Sequence, residues 1–250
     1  MLIAQPAHRE LLRSALGGIL ALVLLSLWLA MTAESRFDLS PWYVAKTLVV
    51  LGVGAVLVLH GLAAHHPFRS IGSANLATAA RGVLVALLAA LVGERVSGSV
   101  QYVVLAVGAI AATLDGVDGW LARRSNTASR FGARFDMETD ALLILTLAVL
   151  AWQFGKASAW VVLSGVLRYA FVLAAFAFPW LRAPLPASFR RKTVAVLQTV
   201  ALLLVMAPFL PRTASEPIAA VALLALARSF LTDVIWLKRE AARNRSREPA

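Results

Sequence analysis

Apolar stretches of 18 or more residues recur along the chain, and no other feature limits its fold so strongly. A run of that length with few charges is what a helix needs to cross a bilayer. Eight spans can be counted, roughly 12–32, 42–63, 76–93, 100–123, 136–154, 157–179, 192–211 and 214–237. Composition agrees, with 60% of residues hydrophobic, 15% charged and a mean hydropathy of +0.78. The expected fold is all-α, a polytopic membrane bundle of about eight transmembrane helices. Arg9 and Arg13 before an apolar run imitate a signal peptide. That run, about 16 to 32, is long for one, and Met31-Thr32-Ala33 is a poor cleavage site, so a retained helix is expected.

The chain has no cysteine, which removes disulfides, thiolate metal sites and cysteine nucleophiles. Its net charge of +11 is better explained by the positive-inside bias and anionic lipid than by nucleic acid, because the charges sit in short loops. One set of loops and ends carries Arg9, Arg13, Arg69, Arg123, Arg124, Arg130, Arg134, Arg182, Arg190, Arg191, Lys192 and the tail from Lys238 to Arg247. The other has Arg36, Lys46, Arg95, Lys156 and Arg212. This asymmetry places both termini in the cytoplasm, as in a multi-pass protein of the inner membrane. Trp28, Trp42, Trp152 and Trp160 then fall near the outer boundary, Trp180 and Trp236 near the inner one. The proline-rich stretch 179–186 reads as the longest cytoplasmic connection, and the tail after Trp236 as fraying into disorder. His60, His65 and His66 lie at or beyond the end of the second span and read as interfacial polarity. No repeat or separate soluble domain is visible.

The chemistry gathers in Asp115-Gly-Val-Asp-Gly-Trp-Leu-Ala-Arg123 and Gly132-Ala-Arg-Phe-Asp-Met-Glu-Thr-Asp140. Acids beside hydrocarbon are costly and are read as functional. Asp115 and Asp118 are three apart, Asp136 and Asp140 four apart, so each pair shares a helix face. Two such faces meeting across a short loop make a site for hard divalent cations. Asp115 lies about 12 Å deeper than Arg123 at 1.5 Å per residue. Gly116, Gly119 and Gly132 remove side chains where a ligand or helix must come close, and Arg123 offers a fork suited to phosphate. Salt bridges to Arg123, Arg124, Arg130 and Arg134 are the plainer reading, but they require neither the glycines nor this spacing.

The pattern Asp115-x2-Asp118-Gly119-x2-Ala122-Arg123-x8-Gly132-x3-Asp136-x3-Asp140 resembles the signature of the CDP-alcohol phosphotransferases at every defined position. The resemblance extends over about 70–240. Asn75-x2-Thr78-x2-Arg81 is similar to the opening of that family's first core helix, with Ala74 where a proline is usual, and Arg191-Lys-Thr193 with Gln198 to the start of its fifth. It implies a six-helix core at 71–240, a two-helix transmembrane extension at 1–70 and a basic cytoplasmic tail at 241–250. The extension, almost without interior polar residues, is expected to serve packing, insertion or a dimer contact.

The activity implied is transfer of a substituted phosphate from a CDP-linked donor, such as CDP-diacylglycerol, to a small alcohol, releasing CMP. Asp115, Asp118 and Asp136 would hold the first of two divalent cations, Mg2+ or Mn2+. Asp115, Asp136 and Asp140 would lie near the second, and Asp140 would also be the base. Asn75, Thr78, Gly119, Ala122, Arg123, Ser129 and Gly132 would contact the CDP part. The family is often dimeric, so a homodimer is implied by analogy. A lipid-walled site open to the cytoplasm suits a donor whose tails stay in the membrane.

For the acceptor, Arg168 and Arg228 stand inside spans and must pair or bind an anion. They could pair with Asp233 or the aspartate cluster. Alternatively, with Arg191 and Lys192, they form a cationic pocket for an acceptor carrying its own phosphate, such as glycerol 3-phosphate or an inositol phosphate. Two other classes compete. An intramembrane prenyltransferase also uses aspartate pairs and magnesium, but draws two Asp-rich motifs from distant regions, and the second half here has only Asp233. A transporter places ion sites near the midplane of a repeat.

Overall fold

In the computed structural model the described residues are 4–65, 73–95, 98–124, 130–186 and 188–245, with side chains described for 17–58, 75–95, 98–116, 131–186 and 188–244. Among them the fold is all-helical: α1 (Ala4–Phe37), α2 (Trp42–His65), α3 (Ser73–Ala89), α4 (Gly98–Arg124), α5 (Arg130–Gln153), α6 (Leu163–Ala177), α7 (Phe189–Met206) and α8 (Arg212–Arg245), with 3-10 turns at Ala159–Val162 and Pro179–Arg182. Four stretches, Gly17–Phe37, Gly98–Gly116, Ala159–Ala177 and Arg212–Asn244, are long and apolar enough to cross a membrane; Trp42–Val58 and Asn75–Ala89 are shorter apolar helices. Val53, Leu57, Leu224 and Leu231 are all more than half exposed. Such surfaces suit hydrocarbon rather than water.

Two compact units divide the chain, Met1–Thr146 and Leu147–Ala250. In the first, α1 and α2 pack on each other and on α3, which packs on α4. The reason is visible in the buried stripes. On α4, Val100, Val104, Gly108 and Ala111 are buried at intervals of three or four, one helix face. On α3, Asn75, Thr78, Arg81, Val85 and Leu88 do the same. The turns that join α1 to α2 and α3 to α4 are clasped together. Glu94 accepts hydrogen bonds from the Ser40 amide (2.9 Å) and hydroxyl (2.8 Å) and pairs with Lys46. Lys46 also donates to the Val92 carbonyl (3.0 Å), and the Tyr43 hydroxyl to that of Leu87 (2.9 Å). Burial pushes the Glu94 carboxyl up, but these donors outweigh it and hold it below its ordinary range.

In the second unit Lys156 plays the corresponding part. Its buried ammonium donates to the carbonyls of Ala207 (2.8 Å), Pro208 (3.2 Å) and Leu210 (2.8 Å), satisfying acceptors in the turn that follows α7. Ser158 bonds Glu216, and Arg212 reaches the Ser158 hydroxyl at 2.7 Å. Residues expected on one side of the membrane are thus close together within each unit: Lys46 beside the Arg95 turn, Lys156 beside the Arg212 turn.

Several helix ends differ from the hydropathy pattern. The third helix stops at Ala89, not 93, because the apolar run continues into a turn closed by Gly93 at φ +80°, a conformation glycine adopts freely. The seventh stops at Met206, not 211, since Ala207 precedes Pro208 and is extended (ψ 123°). The last helix does not fray after Trp236 but continues to Arg245, with Glu240 and Arg243 paired across one turn. The 179–186 connection contains a 3-10 turn at its start, and Arg182 folds back to the Ala175 carbonyl (2.7 Å) at the end of α6.

Candidate functional site

The buried stripe of α4 continues by four residues from Ala111 to Asp115. The buried stripe of α5, Leu143, Leu147 and Leu150, continues backwards in the same rhythm to Asp140 and Asp136. Each aspartate therefore heads a packed face, and the faces bring them together. Ligand oxygens of Asp115, Asp136 and Asp140 all lie within 4.8 Å of one another. Their side chains are 33%, 40% and 36% exposed, open enough to meet a ligand. Three carboxylates at that separation and exposure fit a hard divalent cation, whose preferred ligands are oxygens.

At the base of the cluster is a residue the sequence reading quoted only as part of a motif. Arg81, from α3, is fully buried. Its Nη1 donates to Asp115 Oδ1 at 2.8 Å, and its Nη2 to Asp136 Oδ1 at 2.7 Å, Asp140 Oδ1 at 2.8 Å and the Asp136 carbonyl at 3.4 Å. The sequence signal was available: a charge inside an apolar span, on the same face as Asn75 and Thr78. The described partner of the aspartates is thus Arg81, whereas Arg134 is exposed. The side chains of Arg123, Arg124 and Arg130 lie outside the described residues.

The residues expected from the sequence to bind the donor are placed only in part. Asn75 and Thr78 are buried on α3 in line with Arg81. Gly132 is half-buried on α5, whose first turn begins at Arg130 rather than at Asp136. Asp118, Gly119, Ala122 and Arg123 belong to the last turns of α4, but their side chains lie outside the described residues, and Ser129 lies outside them altogether. Gly116 is exposed, and a Cβ there would meet nothing within 4 Å. Packing among the described residues does not require that glycine.

The cationic residues of the second unit separate into two kinds. Asp233 is buried and pairs with Arg190 (2.5 Å) and Arg191 (3.2 Å), not with Arg168 or Arg228. Arg190 also donates to the Ser229 carbonyl at 2.7 Å, and Arg191 to that of Pro186. These bonds tie the start of α7 to α8. Arg168 is half-buried on α6, whereas Lys192 and Arg228 are exposed on α7 and α8.

Apolar helices of membrane-crossing length and a carboxylate cluster suited to divalent cations are the marks of a helical membrane protein with an acidic site. A sequence model of the CDP-alcohol phosphatidyltransferase family matches residues 71–233, well over half of the chain, and the chain belongs to that family. Its members are transferases of substituted phosphate groups that use a CDP-alcohol donor and an alcohol acceptor, typically with divalent metal. No curated protein and no solved structure matches the chain. The family accounts for the Asp-Gly-x-x-Ala-Arg spacing that neither a prenyltransferase nor a transporter explains.

Proposed function

We propose that this protein moves a phosphatidyl group from CDP-diacylglycerol to a phosphorylated small alcohol, releasing CMP, at the cytoplasmic face of an inner membrane crossed by eight helices. The observation that carries the reading is the convergence of Asp115, Asp136 and Asp140 within 4.8 Å in a chain of this family. Asp115, Asp118 and Asp136 are suited to hold one Mg2+ or Mn2+, with Asp115, Asp136 and Asp140 near a second. Bound there, the cations would neutralise the pyrophosphate of the donor and the charge on departing CMP.

The chain's own residues do the rest. Asn75, Thr78, Gly119, Ala122, Arg123, Ser129 and Gly132 bind the CDP part. Asp140 takes the proton of the acceptor hydroxyl onto a carboxylate oxygen. The hydroxyl oxygen forms a bond to the phosphorus of the phosphatidyl group, and the bond from that phosphorus to the CMP oxygen breaks. The arginine asymmetry supports the cytoplasmic orientation.

A phosphorylated acceptor is favoured by Arg228. A charge inside a span is disfavoured by about 2.5–3.5 kcal/mol, and Asp233, the acid that could have compensated it, is engaged by Arg190 and Arg191. In this reading Arg168, Arg191, Lys192 and Arg228 hold the acceptor's phosphate. The test is incubation of purified protein with CDP-diacylglycerol, Mg2+ and paired alcohols, glycerol against glycerol 3-phosphate and inositol against inositol phosphate, with the lipid product read by mass spectrometry. A phosphorylated alcohol should be the preferred acceptor. Preference for the free alcohols, or for serine, overturns the acceptor assignment.

A further inference from the structure

Arg81 touches all three clustered aspartates, and it does so from the buried side. Its guanidinium is sealed from solvent while the carboxylates are each a third or more exposed. A purely structural ion pair would not require its acids to face accessible space while its base faces none. The division of labour within the fork is also specific. Nη1 holds the carboxylate from α4; Nη2 alone holds both carboxylates from α5, which stand one helical turn apart. One planar group therefore sets the direction of three acids on two helices, and a rigid fork does this where a flexible ammonium does not. It also offsets the repulsion of carboxylates this close.

We infer that Arg81 is a positioning residue: by fixing the orientation of Asp115, Asp136 and Asp140, it sets the affinity of this centre for divalent cations. The inference rests on the reading of the cluster as a cation site. Groups that orient metal ligands from behind are worth about 10- to 100-fold in metal affinity. The opposite electrostatic effect is equally definite, since removing a positive charge beside a cation would tighten binding. The sign of the change therefore decides between orientation and simple charge compensation.

The experiment measures Mn2+ binding by electron paramagnetic resonance on detergent-purified wild type, Arg81→Lys and Arg81→Gln, with thermal unfolding recorded in parallel. The expected result is Mn2+ binding about 10- to 100-fold weaker in both variants, with lysine failing to restore it although the charge is kept. Binding as tight as wild type, or tighter, in Arg81→Lys overturns the inference, whatever happens to the unfolding temperature. If Arg81→Gln does not fold, the lysine variant is judged by the same criterion. If neither variant folds without metal, the dependence of their unfolding midpoints on Mn2+ concentration supplies the affinities. Should wild type itself bind no Mn2+, the reading of the cluster as a cation site fails first, and this inference with it.

Discussion

Arg81 Nη2 lies 2.8 Å from Asp140 Oδ1, joining residues 59 positions apart that stand on different helices. The same nitrogen reaches Asp136 at 2.7 Å, so the carboxylate proposed as the base is held by the group that holds its neighbour. The helix that carries Asn75 and Thr78 is thereby tied to the helix that carries the proposed base. A shift of α3 would disturb the proposed donor contacts and the aspartates together.

The clasp at the other end of α3 makes the fold pH-dependent. Glu94 is held below its ordinary value of 4.5 by Lys46 and Ser40 against the effect of burial. A depressed carboxyl stabilises the fold fully above the unfolded value, and the contribution is lost as pH falls through the folded value. The unfolding temperature of Glu94→Gln should therefore lie below wild type at neutral pH, and the gap should narrow as pH falls below about 4.5. A gap independent of pH would show that the charge of Glu94 is not what the clasp uses.

Gly116 separates stability from activity. A Cβ there meets nothing within 4 Å, so Gly116→Ala should stabilise the helix by about 0.5–1 kcal/mol. The sequence reading takes this glycine as leaving room for a ligand beside Asp115, so the added Cβ should lower turnover by roughly a hundredfold, as for a displaced reactant. Unchanged turnover in a more stable protein would show that no ligand comes that close.

Arg228→Gln should raise the acceptor KM by roughly 10- to 100-fold, the worth of a hydrogen bond to a charged group, and leave the donor KM nearly unchanged. Steady-state kinetics with each substrate varied in turn check this. Equal effects on both substrates would make Arg228 structural.

Spacing alone was enough to put Asp136 and Asp140 on one helix face, because positions four apart share a face whatever surrounds them; the side chain of Asp118 lies outside the described residues. The same holds for the helical class of the chain. What spacing cannot supply is which helix lies behind a face. Arg81 stood in a recognised pattern, yet its engagement with the aspartates depends on α3 packing against α4. Asp233 shows the same limit: Arg168 and Arg228 were open as its partners, and the packing of α7 on α8 chose Arg190 and Arg191 instead. Lys156 read only as a loop charge, and its three carbonyl partners come from residues more than fifty positions later.

The absence of native cysteine makes the membrane orientation directly testable. Single cysteines placed at Arg36 and Arg95 should react with an impermeant maleimide from outside the cell, and those at Arg182 and Arg239 only after the membrane is opened. Labelling of the first pair from the cytoplasmic side would put the aspartates on the wrong face.

The central claim is that Asp115, Asp136 and Asp140 form a cation-dependent phosphatidyl-transfer centre, and CMP release tests it most directly. Purified wild type with CDP-diacylglycerol and the best acceptor of the panel should release CMP with Mg2+ and stop when the metal is chelated. Asp140→Asn should still bind the donor and turn over about 10²- to 10⁴-fold more slowly, the usual contribution of a positioned base. CMP release that survives chelation, or that proceeds at the wild-type rate in Asp140→Asn, would contradict the account.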